Sequence, residues 1–213
     1  MLKKLNNVDV NSRNFKLIFF DLGGVLVDVH VEKFYKKVAL YTGKSFEHVV
    51  QTATDFFPDA EKFERGLITS NEFYDRIFRE HYFKINYDQF RQAYVNIFSL
   101  KKDVFEIAKA LKRNYRISII SNTDALHYNY IMQNFAVLQI FDHPTTSFET
   151  HSLKPEKEIY NHALKKFNLP PDVCIFIDDK EENVAGAQSL GMAGIHFVGA
   201  EDLKQILLTM KVI

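Results

Sequence analysis

The chain has a single cysteine, no tryptophan, no net charge and no long apolar run. With Cys174 alone, no disulfide can close within the chain. Cys174 sits in the apolar stretch "VCIFI", where a small buried side chain is expected. Lys plus Arg and Asp plus Glu both number 27, so there is no charge footprint for nucleic acid or an acidic membrane surface. No apolar run approaches the length of a membrane span. The opening "MLKKLNNVDVNSRN" has no apolar core and no small-residue cleavage pattern, so it is not expected to be a signal peptide. The eight histidines show no metal-ligand spacing. The expectation is a soluble cytoplasmic protein with neither nucleic acid nor membrane as partner.

Apolar residues make up 46% of the 213, enough for a sizeable core, and the length suits one core domain with a smaller inserted subdomain. Short apolar runs at 15–20, 115–120, 173–177 and 194–198 read as buried strands, with a weaker candidate in "TTSF" at 145–148. Helical patterns lie between them, near 101–113, 124–135, 156–167, 181–190 and 200–210, and Gly191 stands where a helix should stop. This alternation predicts a Rossmann-like α/β fold, a parallel sheet with helices on both faces. From 31 to 100 the pattern holds only helices, such as "VEKFYKKVALY" and "YDQFRQAYVNIF", and no strand. That stretch predicts an inserted helical cap over the strand ends. The expected organisation is an N-terminal extension at 1–14, a core at 15–30 and 101–213, and a cap at 31–100.

Ligands of an open parallel sheet bind outside the carboxyl ends of its strands. Asp21 follows the first strand, Ser121-Asn122-Thr123 the second, and Asp178-Asp179 the fourth, while the loop after "TTSF" ends in Lys154-Pro155. All should converge on one edge. Together they offer carboxylates for a divalent metal, a hydroxyl and loop amides for oxyanions, and a lysine for negative charge. Phosphoryl transfer requires these parts.

In order along the chain, "IFFDLGGVLVD", "IISNTD", "LKPE" and "IFIDDKEENVAGAQSLGM" resemble the four motifs of the haloacid dehalogenase superfamily, most of whose members are phosphatases. The pattern, including "FERGLITSNEFYDRI" in the cap, is most similar to capped bacterial sugar-phosphate phosphatases of the glucose-1-phosphate phosphatase group. The resemblance implies that Asp21 attacks phosphorus and becomes an aspartyl phosphate. It implies Mg²⁺ held by the Asp21 carboxylate, the Gly23 carbonyl and Asp179, with Asp178 alongside. Ser121 and the backbone around Asn122 would bind phosphate oxygens, Lys154 would neutralise charge, and Asn183 would steady the acidic loop. A small phosphorylated metabolite, a sugar phosphate foremost, is the expected substrate.

One position departs from the family. Members usually carry a second aspartate two residues after the nucleophile, as general acid and base, and here that residue is Gly23. A phosphatase using water, Asp28, His30 or a cap residue instead is the first reading. The alternatives are a weak or inactive binding protein of the same fold, or a metal-independent dehalogenase. In the cap, "DAEKFERG" places Glu64 and Arg65 before a glycine turn, and Arg65 is the expected contact to a leaving group.

Overall fold

The first strand, β1 (Leu17–Phe20), has all four side chains buried, which requires cover on both faces of the sheet. The computed structural model describes residues 14–79 and 84–213. The N-terminal extension expected at 1–14 falls, up to residue 13, outside the described residues, as do residues 80–83 of the helical pattern "SNEFYDRIFREHY".

After β1 the chain forms β2 (Val27–Val29) and then the helices α1 (Val31–Thr42), α2 (Phe46–Ala53), α3 (Phe57–Glu64), α4 (Ser70–Tyr74) and α5 (Tyr87–Val95). Next come β3 (Phe98–Leu100), α6 (Lys102–Leu111), β4 (Arg116–Ser121), α7 (Ala125–Asn134), β5 (Thr145–Thr146) and α8 (Ser147–Thr150). The chain closes with α9 (Lys157–Phe167), β6 (Cys174–Asp178), α10 (Glu181–Ser189), β7 (Ala193–His196) and α11 (Ala200–Thr209). The main sheet is parallel, in the order β5-β4-β1-β6-β7.

Strand periodicity of two divides the core. Ile18 and Phe20 of β1, with Ile175 and Ile177 of β6, pack under α6, α7 and α11. Leu17 and Phe19, with Cys174 and Phe176, pack under α9 and α10. Cys174 is buried there, as a small apolar side chain would be, and burial pushes its thiol up to about 12. Among the described residues no helix is long and apolar enough to cross a membrane.

The strand β3 is a correction to the sequence reading, which has no strand between 31 and 100. It pairs antiparallel with β2, Val29 opposite Phe98 and Val27 opposite Leu100, in a separate two-stranded ribbon. Three residues are too few for alternation to show against helical neighbours.

Between the two strands of this ribbon, the helices gather around an aromatic cluster of their own. Phe90, wholly buried, lies at its centre, with ring centroids of Phe78 at 5.3 Å, Tyr74 at 5.6 Å and Tyr94 at 5.1 Å. Capping boxes define two helix starts. Thr69 and Glu72 exchange hydrogen bonds at α4, and Asn86 and Gln89 do so at α5. Truncating Phe90 to Ala should cost about 3–5 kcal/mol, because so many rings lose their partner at once. Urea denaturation checks this, and a loss below about 1 kcal/mol would mean that the cluster collapses around the gap.

Candidate active site

The parallel register aligns the strand ends. Phe20 pairs with Ile119 on one side and Ile177 on the other, so Asp21 comes level with the ends of β4 and β6. The Asp21 amide continues the ladder by donating to the Ile177 carbonyl at 2.8 Å. Asp21, Ser121, Asp178 and Lys154, distant in sequence, are buried together at this edge.

Lys154 organises the group. Its Nζ lies 2.7 Å from Asp21 Oδ1 and 2.6 Å from Asp178 Oδ2, and donates to the Ile120 carbonyl at 2.9 Å. Asn122 sets the lysine's backbone, accepting from the Lys154 amide at 2.8 Å and donating to its carbonyl at 3.0 Å. Asp178 is fully buried and accepts from Asn183 Nδ2 at 3.0 and 3.1 Å and from the Lys180 amide at 2.8 Å. Asn183, the first-turn asparagine of α10, is thus tied to Asp178 rather than to Asp179.

One buried cation therefore serves two buried carboxylates, and one negative charge is left over. Burial raises the Asp21 carboxyl from 3.8 to about 7, against the attraction of Lys154 and with the repulsion of Asp178. Burial opposes the charge on Lys154, but the two carboxylates outweigh it and its pKa is raised. Oδ1 of Asp21 takes both the lysine and the Leu22 amide, the latter at 2.7 Å. Among the described residues none donates to Oδ2.

Oxygen atoms of Asp21, Asp178 and Asp179 lie within 4.8 Å of one another, and Asp179 is the one of the three that is not buried. An all-carboxylate set with surplus negative charge fits a hard divalent cation such as Mg²⁺. Gly24 makes room for it. Its φ is +81°, and a Cβ there would stand 2.3 Å from Asp179 Oδ2, so only glycine serves both the turn and the acid beside it. Gly23 is different. Its φ lies outside the left-handed region, and a Cβ would meet only Val29 Cγ2, at 3.4 Å.

These residues form one end of a cavity of about 660 Å³ whose lining includes Asp21, Gly23, Ser121, Asn122, Lys154 and Asp179. Ser121 is buried, yet its hydroxyl makes only a marginal 3.5 Å approach to the Asn122 carbonyl, leaving it available to a ligand. Asp178, behind Lys154, does not reach the lining.

Arg65 is not brought to the cavity, contrary to the sequence expectation. Its Nη1 and Nη2 donate to the Glu156 carboxylate at 3.0 and 2.5 Å, and its Nε to Glu61 at 2.9 Å. A forked guanidinium facing two carboxylates pairs with them before it meets a distant ligand. The same turn is fixed to the core at two further points. The Ser147 hydroxyl lies 2.7 Å from the Glu64 carbonyl, and His151 Nδ1 lies 2.7 Å from the Arg65 carbonyl. Gly66 presses so close to the Phe148 carbonyl that a Cβ would come within 2.4 Å of it.

The neighbour that faces the cavity is Glu64. Burial, aided by the nearby Asp124 charge, raises its pKa, and among the described residues no group donates to its carboxylate. The sequence signal was present in "FERG", but only the turn's attachments decide which of the two side chains points inward. A second tie joins α5 to α7. Asp124 is buried and accepts from the Tyr94 hydroxyl at 2.9 Å, and His127, stacked on Tyr94 at 4.0 Å, holds its Nδ1 2.8 Å from the same carboxylate.

A sequence profile described as haloacid dehalogenase-like hydrolase matches residues 15–191. A sesquiterpene phosphatase of Aspergillus oryzae is 28% identical, the match covering 85% of this chain and 89% of that protein. A D-ribitol-5-phosphate phosphatase of Bacteroides thetaiotaomicron is 22% identical, over 90% of this chain and 96% of that one. Among solved structures, a haloacid dehalogenase-family enzyme of Bacteroides thetaiotaomicron superposes with a TM-score of 0.81 at 25% identity, covering 92% of this chain and 99% of that one. The same enzyme in complex with magnesium and inorganic phosphate gives 0.75 at 26%, covering 85% and 93%.

Asp21 binds its proton more tightly folded than unfolded. Its contribution to stability is therefore greatest below pH 3.8, falls as pH rises through about 7, and is level above that. In chelator, Asp21→Asn should melt higher than the parent at pH 8, and the gain should shrink towards pH 5 as the parent takes up its proton. A difference independent of pH, read by thermal melts across that range, would remove Asp21 as the group bearing the surplus charge.

Proposed function

The chain belongs to the haloacid dehalogenase-like hydrolase family, and on that premise we propose that it is a Mg²⁺-dependent phosphatase hydrolysing a small phosphate monoester through an aspartyl phosphate on Asp21. The observation that carries this reading is Lys154 set between the buried carboxylates of Asp21 and Asp178, with Asp179 beside them at the sheet edge. The magnesium and phosphate complex of the similar Bacteroides enzyme supports it, as do the names of the phosphatase relatives.

In this reading Asp21, Asp179 and the Gly23 carbonyl hold Mg²⁺, and Asp178 holds Lys154. A divalent cation held there would supply positive charge that favours the ionised Asp21 carboxylate and offsets the charge of an anionic phosphate. Lys154 and the Ser121 hydroxyl receive phosphate oxygens. The Asn122 side chain is committed to Lys154, so a phosphate contact from this residue falls to its main chain. Asp21 attacks phosphorus as the ester P–O bond breaks, and water then attacks phosphorus and frees Asp21.

The first step needs a proton given to the leaving oxygen and the second a proton taken from the attacking water, and Gly23 has no side chain for either. Two substitutes suggested by the sequence are engaged elsewhere: Asp28 is paired with Lys101 at 2.7 Å, and His30 Nε2 lies 2.8 Å from the Ser99 hydroxyl. Glu64 is the group suited to the role. It lines the cavity from the cap side, lacks a donor among the described residues, and burial favours its protonated form. It would give its proton to the leaving alcohol and take one from the attacking water.

Phosphate release from an aryl phosphate should require Mg²⁺ and stop in chelator, and Asp21→Asn should abolish it without loss of fold. Undiminished turnover in chelator would overturn the Mg²⁺ requirement. Glu64→Gln should slow alkyl phosphates by about 10²–10⁴-fold. An aryl phosphate, whose alcohol departs unprotonated, should lose much less. Equal losses on both esters would assign Glu64 to binding rather than proton transfer. Because the Gly23 backbone accepts a Cβ, Gly23→Asp in the Glu64→Gln protein should recover part of the alkyl activity, read as steady-state kcat/KM.

A further inference from the structure

The cavity is chemically divided. Its charged groups stand at the sheet edge, whereas every lining residue from the helices α1–α5 except Glu64 is apolar or aromatic. At about 660 Å³ it is far larger than a phosphate alone requires and lies within the range of small-molecule sites, roughly 300–1,000 Å³. Part of the rim is apolar as well, although Asp28, Asp179 and Lys180 also line the cavity. Val29, Val31 and Phe57 all line it, and they are 48%, 46% and 64% exposed, a state that large apolar side chains rarely adopt together at one opening. Inward, Phe34 and Ile77 are shared with a smaller void of about 20 Å³ that is walled by apolar and aromatic side chains and extends into the cap.

Resting on the phosphatase reading above, we propose that the substrate is the phosphate monoester of an apolar alcohol, with its hydrocarbon or aryl body in the chamber beneath the helices and its phosphate at Asp21. A polyol would find few partners there. The Tyr94 hydroxyl is committed to Asp124, and both nitrogens of His127 are engaged, Nδ1 with Asp124 and Nε2 3.0 Å from the Tyr94 carbonyl. Asp28 is paired with Lys101. Glu64, the Tyr35 hydroxyl and, at the sheet edge, the Lys180 ammonium remain, too few for an alcohol bearing a hydroxyl on each carbon, since a buried hydroxyl without a partner is penalised. An apolar body has the opposite balance, because it gains from each methylene removed from water and leaves no polar group unmatched.

Binding separates this proposal from the reading it rests on. Calorimetry in Mg²⁺ with n-alkylphosphonates, which carry the anionic head and cannot be hydrolysed, should show affinity rising from methyl to octyl. The slope should approach about fourfold per buried methylene, all below the micelle-forming concentration. A polyol phosphonate of the same length should bind more weakly than octylphosphonate. Phe57→Ala, at an exposed position that leaves the core intact, and Ala60→Glu, which sets a charge on the chamber wall, should each lower the octyl-to-methyl affinity ratio. This pattern supports the proposal even if no ester is hydrolysed, in which case only the catalytic reading fails. Affinity independent of chain length, a preference for the polyol, or a ratio unmoved in both variants would overturn it.

Discussion

A lysine ammonium held between two buried carboxylates is the interaction on which this site depends. Lys154 cannot be placed by its own loop alone. Asn122 clamps its backbone from the end of β4, Asp178 meets it from the end of β6, and Asp21 meets it from the end of β1. Three strands must be in register for those bonds to form together. Removing Lys154, the cation the two acids share, should cost about 3–5 kcal/mol, because the buried carboxylates left behind have no counter-ion. The arrangement is thus demanding of the fold and leaves a net negative charge facing the cavity, which is the electrostatic reason for reading the acidic edge as a cation site.

Much of the core was legible because β1 and β6 are short apolar runs between helical patterns, and parallel topology then fixes where Asp21 and Asp178 must lie. Asp178 and Asp179, adjacent in sequence, are divided in space by the strand's alternation: one points under Lys154 and the other towards Gly24. What escaped the sequence has definite causes. The ribbon β2–β3 is too short to show a period. Arg65 and Glu64 are neighbours on one turn, and which of them enters the cavity depends on partners as distant as Ser147, His151 and Glu156. No local pattern carries that information.

The two ends of the cavity follow opposite rules. At the sheet edge Asn122, Lys154 and Asp178 are held by directed bonds, and burial there raises the stakes of every charge. Beneath the helices the same exclusion of water acts through area alone. Glu64 stands where the two regimes meet, an acid within an apolar wall, and burial there, with the Asp124 charge, raises its pKa.

The β2–β3 ribbon has a consequence for how such a chain can diversify. Val29 and Phe98 face each other across it, so the helical block leaves and re-enters the sheet domain at adjacent points. For the sheet, everything between those residues is equivalent to the loop of a hairpin. Closing a longer loop adds little entropic cost, since the penalty grows only with the logarithm of its length. The block can therefore lengthen, shorten or be exchanged for another while Asp21, Ser121, Lys154 and Asp178 keep their places. Its two ends stay together at the ribbon whatever its length, while the ties of Arg65 to Glu156 and of Tyr94 to Asp124 hold this particular block over the strand ends.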